Sequence, residues 1–170
     1  MCPLATPPLF TVALFEPQIP PNTGNISRLC GACECRLDVV GKIGFEINDK
    51  QVRRAGLDYW EYVDFHREEN LEAYLASKDP NTIHLLTTKA SKTYFEAEFK
   101  EGDTLIFGSE TKGIDEAILE KHPERCITIP MASPHIRSLN LSNSASIVLY
   151  EALRQTVYSQ TDHKQTKETK

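Results

Sequence analysis

The amino-acid sequence predicts an α/β fold in which a mainly parallel sheet carries helices on both faces. Three observations lead there. Apolar runs rich in β-branched and aromatic residues alternate with helix-like stretches along the whole chain. The 170 residues, 40% of them hydrophobic, suffice for one sizeable core. No internal repeat and no Gly/Ser-rich linker divides the chain.

Strands are expected near Phe10–Glu16, Leu37–Val40, Tyr62–Phe65, Ile83–Thr87, Thr104–Phe107 and Cys126–Ile129, each a short apolar or β-branched run. Between them helices are expected at Thr23–Cys33, Asn70–Ser77, Tyr94–Phe99 and Asp115–Lys121, with a short turn or helix around Lys50–Ala55. A long last helix is expected at Ser142–Tyr158. The strict alternation favours strands covered on both sides by crossover helices. Residues 1–8 hold three prolines and 159–170 are polar without apolar period, so both are expected to be flexible tails around a single domain, 9–158.

A net charge of −5 and a pI near 5.6 exclude a protein that coats nucleic acid by bulk electrostatics. Any RNA contact must be local, drawn from Arg28, Lys42, Lys50, Arg53, Arg54, Lys89, Lys92, Lys112, His135 and Arg137, most of which would otherwise be ordinary solvated surface. No run approaches the roughly 18 apolar residues of a membrane span, and the start MCPLATPPLF lacks the basic and long apolar segments of a secretory signal, so no membrane partner and a cytoplasmic location are expected. The five cysteines are odd in number, and Cys30-x-x-Cys33-x-Cys35 has no second half-site, which points to free thiols and no metal.

Three segments are unlike ordinary loops. Glu16-Pro-Gln-Ile-Pro-Pro-Asn-Thr-Gly-Asn-Ile-Ser-Arg28 leaves the first strand and enters a helix, with Pro20 and Pro21 stiffening the approach and Asn22 or Thr23 placed to cap the first turn. Gly24, Asn25 and Arg28 near a helix start present amides, a carboxamide and a guanidinium to an anion, although a capped helix with a surface arginine accounts for the same residues. Leu105-Ile-Phe-Gly-Ser-Glu-Thr-Lys-Gly113 runs a strand into a loop whose glycines let a ligand lie against main chain. Neither G-x-x-x-x-G-K-[ST] nor G-x-G-x-x-G is present, which excludes a phosphate loop and a dinucleotide-dependent oxidoreductase. Ile129 to Ser146 joins the last strand to the last helix and clusters Asn140, Ser142, Asn143, Ser144 and Ser146 where that helix begins, a pattern shared by Ser/Asn-rich capped loops.

In this order, PPNTGNISRLC, IFGSETKGI and IPM…RSLNLSNSASIVLYE resemble motifs 1, 2 and 3 of the SpoU/TrmH branch of the SPOUT methyltransferases. With KQVRRAGLDYWEY the likeness narrows to the short TrmL/YibK-type tRNA wobble 2′-O-methyltransferases, over about Phe10 to Gln155. The resemblance implies a SPOUT α/β knot with a C-terminal deep trefoil knot, and a homodimer packed through the first and last helices with each active site assembled across the interface. It implies S-adenosyl-L-methionine as cofactor, S-adenosyl-L-homocysteine as product, and the ribose 2′-hydroxyl of cytidine-34 or a modified uridine-34 in the tRNA anticodon loop as acceptor, with leucine tRNA the expected substrate. Carried across by motif, the cofactor-binding positions are Leu86, Thr87, Gly108, Glu110, Ile129, Met131, Ser138 and Leu139, and the catalytic ones Arg28, Asn25 and Ser142, with Asn140 in support. Asn22, Arg53, Arg54, Lys112 and Arg137 are the expected RNA contacts, and His135 an ordinary loop histidine. Two departures stand out: the loop between IPM and Arg137, including Ser133–Ile136, is one residue longer than usual, and Leu139 stands where many members have Met. The alternatives are the same chemistry at another RNA position and a catalytically silent RNA-binding SPOUT protein.

Overall fold

The computed structural model describes residues 7–45 and 62–158. Among the described residues six strands form one sheet: β1 (Thr11–Phe15), β2 (Arg36–Val40), β3 (Asp64–Glu68), β4 (Ile83–Leu86), β5 (Thr104–Phe107) and β6 (Cys126–Ile127). Their spatial order is β3-β2-β1-β5-β4-β6, and all five pairings are parallel. Among the described residues there are four α-helices: α1 (Pro20–Ala32), α2 (Leu71–Ala76) and α3 (Glu116–Lys121) lie between strands, and α4 (Leu141–Thr156) follows β6. The expected helix around Lys50–Ala55 lies outside the described residues.

The strands alternate inward residues between two apolar layers, as period-2 geometry requires. Val12 and Leu14, with Leu37, Val39, Leu105 and Phe107, pack against Ile26 and Cys30 of α1 and Ala145, Val148, Leu149 and Ala152 of α4. Ala13 and Phe15, with Val40, Leu85 and Ile106, face Tyr74 of α2 and Leu119 of α3. Helices therefore cover both faces. All five β1 residues and all four β5 residues are buried, in keeping with the continuous apolar runs of central parallel strands.

Several element ends differ from expectation for physical reasons. The third strand is Asp64–Glu68 rather than Tyr62–Phe65: this edge strand is only partly buried and is held by Arg67, which donates to the carbonyls of Val39, Glu68 and Gly41. Tyr94–Phe99 forms only a single 3-10 turn, Tyr94–Glu96, closed by a capping box of Thr93 and Glu96. The chain then extends, because the Phe99 N–H is taken by Gln155 Oε1 of α4 at 3.0 Å. The last helix begins at Leu141, capped by Asn140.

The first helix begins at Pro20, not Thr23, and no side chain of its own segment caps it. Prolines occupy the first two helical positions, so two of the amide donors a helix start leaves unpaired do not exist, and the Asn22 N–H returns to the Ile19 carbonyl at 3.0 Å. At the opposite end of the sheet the buried His84 Nε2 and Asp103 Oδ2 lie 2.9 Å apart under Phe99.

Candidate functional site

The chain reverses its direction of travel across the sheet at β1, and ligands in open α/β sheets bind beyond the carboxyl ends of strands near such a switch. A cavity of about 540 Å³ opens there. Its walls come from the ends of β4 (Leu86, Thr87), β5 (Phe107) and β6 (Thr128, Ile129), from Ile114 and Leu119 beyond the β5 loop, and from Leu141 at the start of α4. Polar side chains share the lining with these apolar ones: Thr87, Thr128, Ser138, Asn140 and Ser144 stand among the strand ends and the start of α4, and Lys89, Glu110, Lys112 and Arg137 add charged groups, so the site offers an organic ligand both apolar surface and polar contacts.

The loop after β5 owes its shape to two glycines. A Cβ on Gly108 would lie 2.0 Å from the Gly113 carbonyl carbon and 2.2 Å from Ile114 N, so no larger residue fits the closed loop. Gly113 has φ +71°, the left-handed region that favours glycine, and its N–H bonds the Ser109 carbonyl at 2.9 Å. The Lys112 N–H bonds Ser109 Oγ at 3.3 Å. The result is a closed, hairpin-like turn with Glu110 at its tip.

Glu110 turns out to bind protein. Its carboxylate accepts from Gln18 N at 2.8 Å, from Ile19 N at 3.1 Å and from Asn22 Nδ2 at 2.9 Å. A carboxylate from 91 residues away thus supplies the anion that a helix N-terminus favours and that the α1 segment itself lacks. Thr111 Oγ1 adds a bond to Gln18 Oε1 at 2.9 Å. Asn22, only 4% exposed, also accepts from Asn140 Nδ2 at 2.9 Å, so the three motif segments meet at one side chain.

All eight positions expected to bind cofactor, Leu86, Thr87, Gly108, Glu110, Ile129, Met131, Ser138 and Leu139, line this one cavity, as do Asn22, Lys112 and Arg137. Asn25 and Arg28 are exposed on α1 and do not line it. Nor does Ser142, whose Oγ donates to Asn140 Oδ1 at 2.6 Å as part of the α4 cap. Asn22 was expected at an RNA surface; the structure buries it with both ends of its carboxamide bonded. Lys50, Arg53 and Arg54 lie outside the described residues. His135 sits in the fully exposed stretch 132–140, its N–H bonding Ser133 Oγ at 3.3 Å, away from the cavity.

Phe107, Thr128 and Ile114 line the cavity without having been expected to bind there, as does Ser144, noted in the sequence only as one of the polar residues clustered where the last helix begins. The signal for Ser144 was spacing: it follows Asn140 by four positions, one helical turn, and its Oγ donates to the Asn140 carbonyl at 3.1 Å. Cys30, Cys33, Cys35 and Cys126 are free and buried. Burial pushes their thiols up, that of Cys35 to about 12. Among the described residues no His, Cys, Asp and Glu group is placed to hold a metal ion, and no helix is long and apolar enough to cross a membrane.

Comparison with known proteins bears on this geometry. The chain matches the SpoU rRNA Methylase family over residues 9–150. It is 48% identical over 148 residues to a tRNA (cytidine(34)-2′-O)-methyltransferase of Methylovorus glucosotrophus, a match covering 86% of this chain and 96% of that protein. A solved structure described as concerning 2-OH methylation of cytidine or uridine 34 on tRNA superposes with a TM-score of 0.81 at 34% identity, covering 88% of this chain and 97% of that one. The SpoU methyltransferase AviRb of Streptomyces viridochromogenes, in complex with the cofactor AdoMet, superposes with a TM-score of 0.68 at 28% identity, covering 90% of this chain and 59% of that one.

Proposed function

The chain belongs to the SpoU rRNA Methylase family, and from that premise we propose that it transfers a methyl group from S-adenosyl-L-methionine (AdoMet) to the ribose 2′-hydroxyl of the wobble nucleotide, cytidine or uridine 34, of tRNA. The observation that carries this reading is the cavity itself: eight positions, from the end of β4 and from the second and third motif segments, converge on one pocket at the carboxyl ends of β4, β5 and β6.

The lining suits AdoMet. Leu86, Phe107, Ile129 and Leu139 provide apolar surface for an adenine and a methionyl chain, and Thr87, Ser138 and Asn140 are among the polar groups that can orient such a ligand. Bound there, AdoMet supplies an activated methyl group on a sulfonium. The protein's part is alignment and proton removal, since a ribose hydroxyl is a weak nucleophile unless its proton leaves during attack. A guanidinium is a very poor base, so the role assigned to Arg28 is to hold a substrate phosphate and the hydroxyl in line while the phosphate or a water takes the proton. Asn25, one helical turn before it and equally exposed, shares that surface.

We further propose a cytoplasmic homodimer packed through α1 and α4, with the C-terminal segment threaded as a trefoil knot. Arg28 lies outside the cavity of its own protomer, which supports its serving the partner's, and Tyr150 on α4 and Tyr158 just beyond it are about half exposed. Lys112 and Arg137 at the cavity rim, with Arg53 and Arg54, are the basic groups assigned to the tRNA backbone.

The experiment is labelled methyl transfer from AdoMet to total tRNA of a strain lacking the activity, followed by mapping. Label on the wobble ribose, with leucine tRNAs the expected carriers, is the outcome required. Label on another nucleotide supports a different RNA target. S-adenosyl-L-homocysteine (AdoHcy) binding without transfer to any RNA supports a silent RNA-binding protein.

A further inference from the structure

Asn22 is the joint between three parts of the chain. Its Nδ2 donates to Glu110 Oε1, 88 residues away, and its Oδ1 accepts from Asn140 Nδ2, 118 residues away, both at 2.9 Å. The bonds have one permitted direction. A carboxylate only accepts, so the NH₂ of Asn22 must face Glu110, its oxygen must face Asn140, and the NH₂ of Asn140 must face Asn22. The oxygen of Asn140 is then left to accept from Ser142 N at 2.9 Å, Asn143 N at 3.3 Å and Ser142 Oγ at 2.6 Å, closing the cap of α4. Turning either amide sets NH₂ against N–H or oxygen against carboxylate, and at Asn22, which is buried, a polar group left unpaired costs about 1–3 kcal/mol.

Glu110 and Asn140 both border the ligand cavity. No side chain caps α1 from its own N-cap position, and Glu110 binds the two backbone amides that lead into it, Gln18 and Ile19. A ligand that orders the loop after β5 and the loop before α4 therefore also orders the start of the helix whose next two turns carry Asn25 and Arg28. On the reading that this helix meets the RNA, we propose that Asn22 is a positioning residue that makes cofactor occupancy and RNA affinity interdependent, and touches no RNA itself. The cofactor leaves less ordering for the RNA to impose, so the loaded protein binds RNA more tightly.

The test measures the Kd of a substrate tRNA for the full chain with and without saturating AdoHcy, in the wild type, in Asn22→Leu and in Glu110→Gln, with methyl transfer by the wild type measured alongside. Asn22→Leu keeps the volume and removes both bonds. Glu110→Gln keeps the shape but points an NH₂ at one of its former donors, and it serves should the leucine variant not fold. The expected wild-type ratio of the two Kd values is about fivefold or more. In either folded variant the ratio falls toward one, while affinity in the absence of AdoHcy stays within about twofold, the change being confined to the coupling. A methylating wild type with a ratio of one overturns the inference and leaves the methyltransferase reading standing. So does a ratio preserved in a folded variant, or an Asn22→Leu whose tRNA affinity drops equally with and without AdoHcy, which would make Asn22 a direct RNA contact. A wild type that neither binds nor methylates tRNA sinks both.

Discussion

Asp38 and Glu110 each gather three donors, yet their surroundings differ in kind. Asp38, 1% exposed in the middle of β2, accepts from Arg36 Nε at 2.6 Å and Tyr74 Oη at 2.7 Å, and Lys78 Nζ stands 3.6 Å away. Two of those partners are cations. The partners of Glu110 are two backbone amides and a carboxamide, all neutral. The Tyr74 hydroxyl fixes α2 against β2, and the two cations around Asp38 answer its buried charge, so this cluster serves the packing of the scaffold. Amide donors are directional, and around Glu110 they orient side chains that reach the cavity. One carboxylate holds the scaffold and the other sets the geometry of the site.

If that division is right, variants at the two places fail differently. Asp38→Ala removes the common acceptor and leaves a buried phenol and two part-buried cations without their anion. It is expected to lower unfolding stability by about 3 kcal/mol, toward the lower end for a broken buried pair because both cations are partly solvated. AdoHcy affinity at a temperature where the protein is folded should not change. Urea unfolding with an unchanged m-value and calorimetry with AdoHcy decide it, and a loss of affinity larger than the loss of stability would break the division.

Gly108→Ala is the converse. The added carbon meets backbone rather than a flexible side chain, so the loop carrying Glu110 must open. AdoHcy affinity is expected to fall by about 2 kcal/mol, roughly thirtyfold. Calorimetry finding less than a threefold change would show that the loop is not a wall of the ligand site. Tyr74→Phe ranks third. It removes one hydrogen bond to a carboxylate, for a cost of about 1.5 kcal/mol in urea unfolding. Burial and the adjacent Asp38 push the Tyr74 phenol up, so the variant should also lose part of the alkaline destabilisation seen in the wild type above pH 10 or so.

What the sequence could show follows the same division. The central strands were legible because each is a short run of Val, Leu, Ile and Phe, and a fully buried parallel strand needs nothing else. The ligand positions were legible because three motif segments occur in order. The order of strands in the sheet was not, since crossover connections leave no local mark. Polar β3, Asp-Phe-His-Arg-Glu, carries no strand signal, and its place depends on pairing with β2 and on Arg67. The start of α1 was misplaced by three residues because its anion comes from Glu110, and a cap 91 residues away is invisible to any local rule. For the same reason Asn22 read as a surface carboxamide: nothing near it in the chain announces Glu110 or Asn140.

The smallest effect expected concerns the end of the sheet farthest from the cavity. Cys30 lies in the last turn of α1, Cys35 precedes β2, and the Cys35 N–H bonds the Cys30 carbonyl at 2.9 Å. Burial is the main cause that pushes the Cys35 thiol up to about 12, against about 8.5 for a thiol in the unfolded chain. A raised value in the folded state means the unfolded state sheds the proton first. The stabilisation is therefore complete below about pH 8.5 and is lost progressively as pH rises toward 12. Between pH 8.5 and 9.5 one such thiol should remove about 1 kcal/mol of stability, and the Cys30 thiol, also raised by burial, should add to the slope. Cys35→Ala should flatten the wild-type decline by that amount over this interval, measured by urea unfolding at each pH. Because these thiols sit under the scaffold and not at the cavity, the AdoHcy affinity of wild type and variant should keep a constant ratio across the same interval. A ratio that drifts with pH would mean that the two ends of the sheet are coupled, and that the separation drawn between Asp38 and Glu110 does not extend to the rest of the fold.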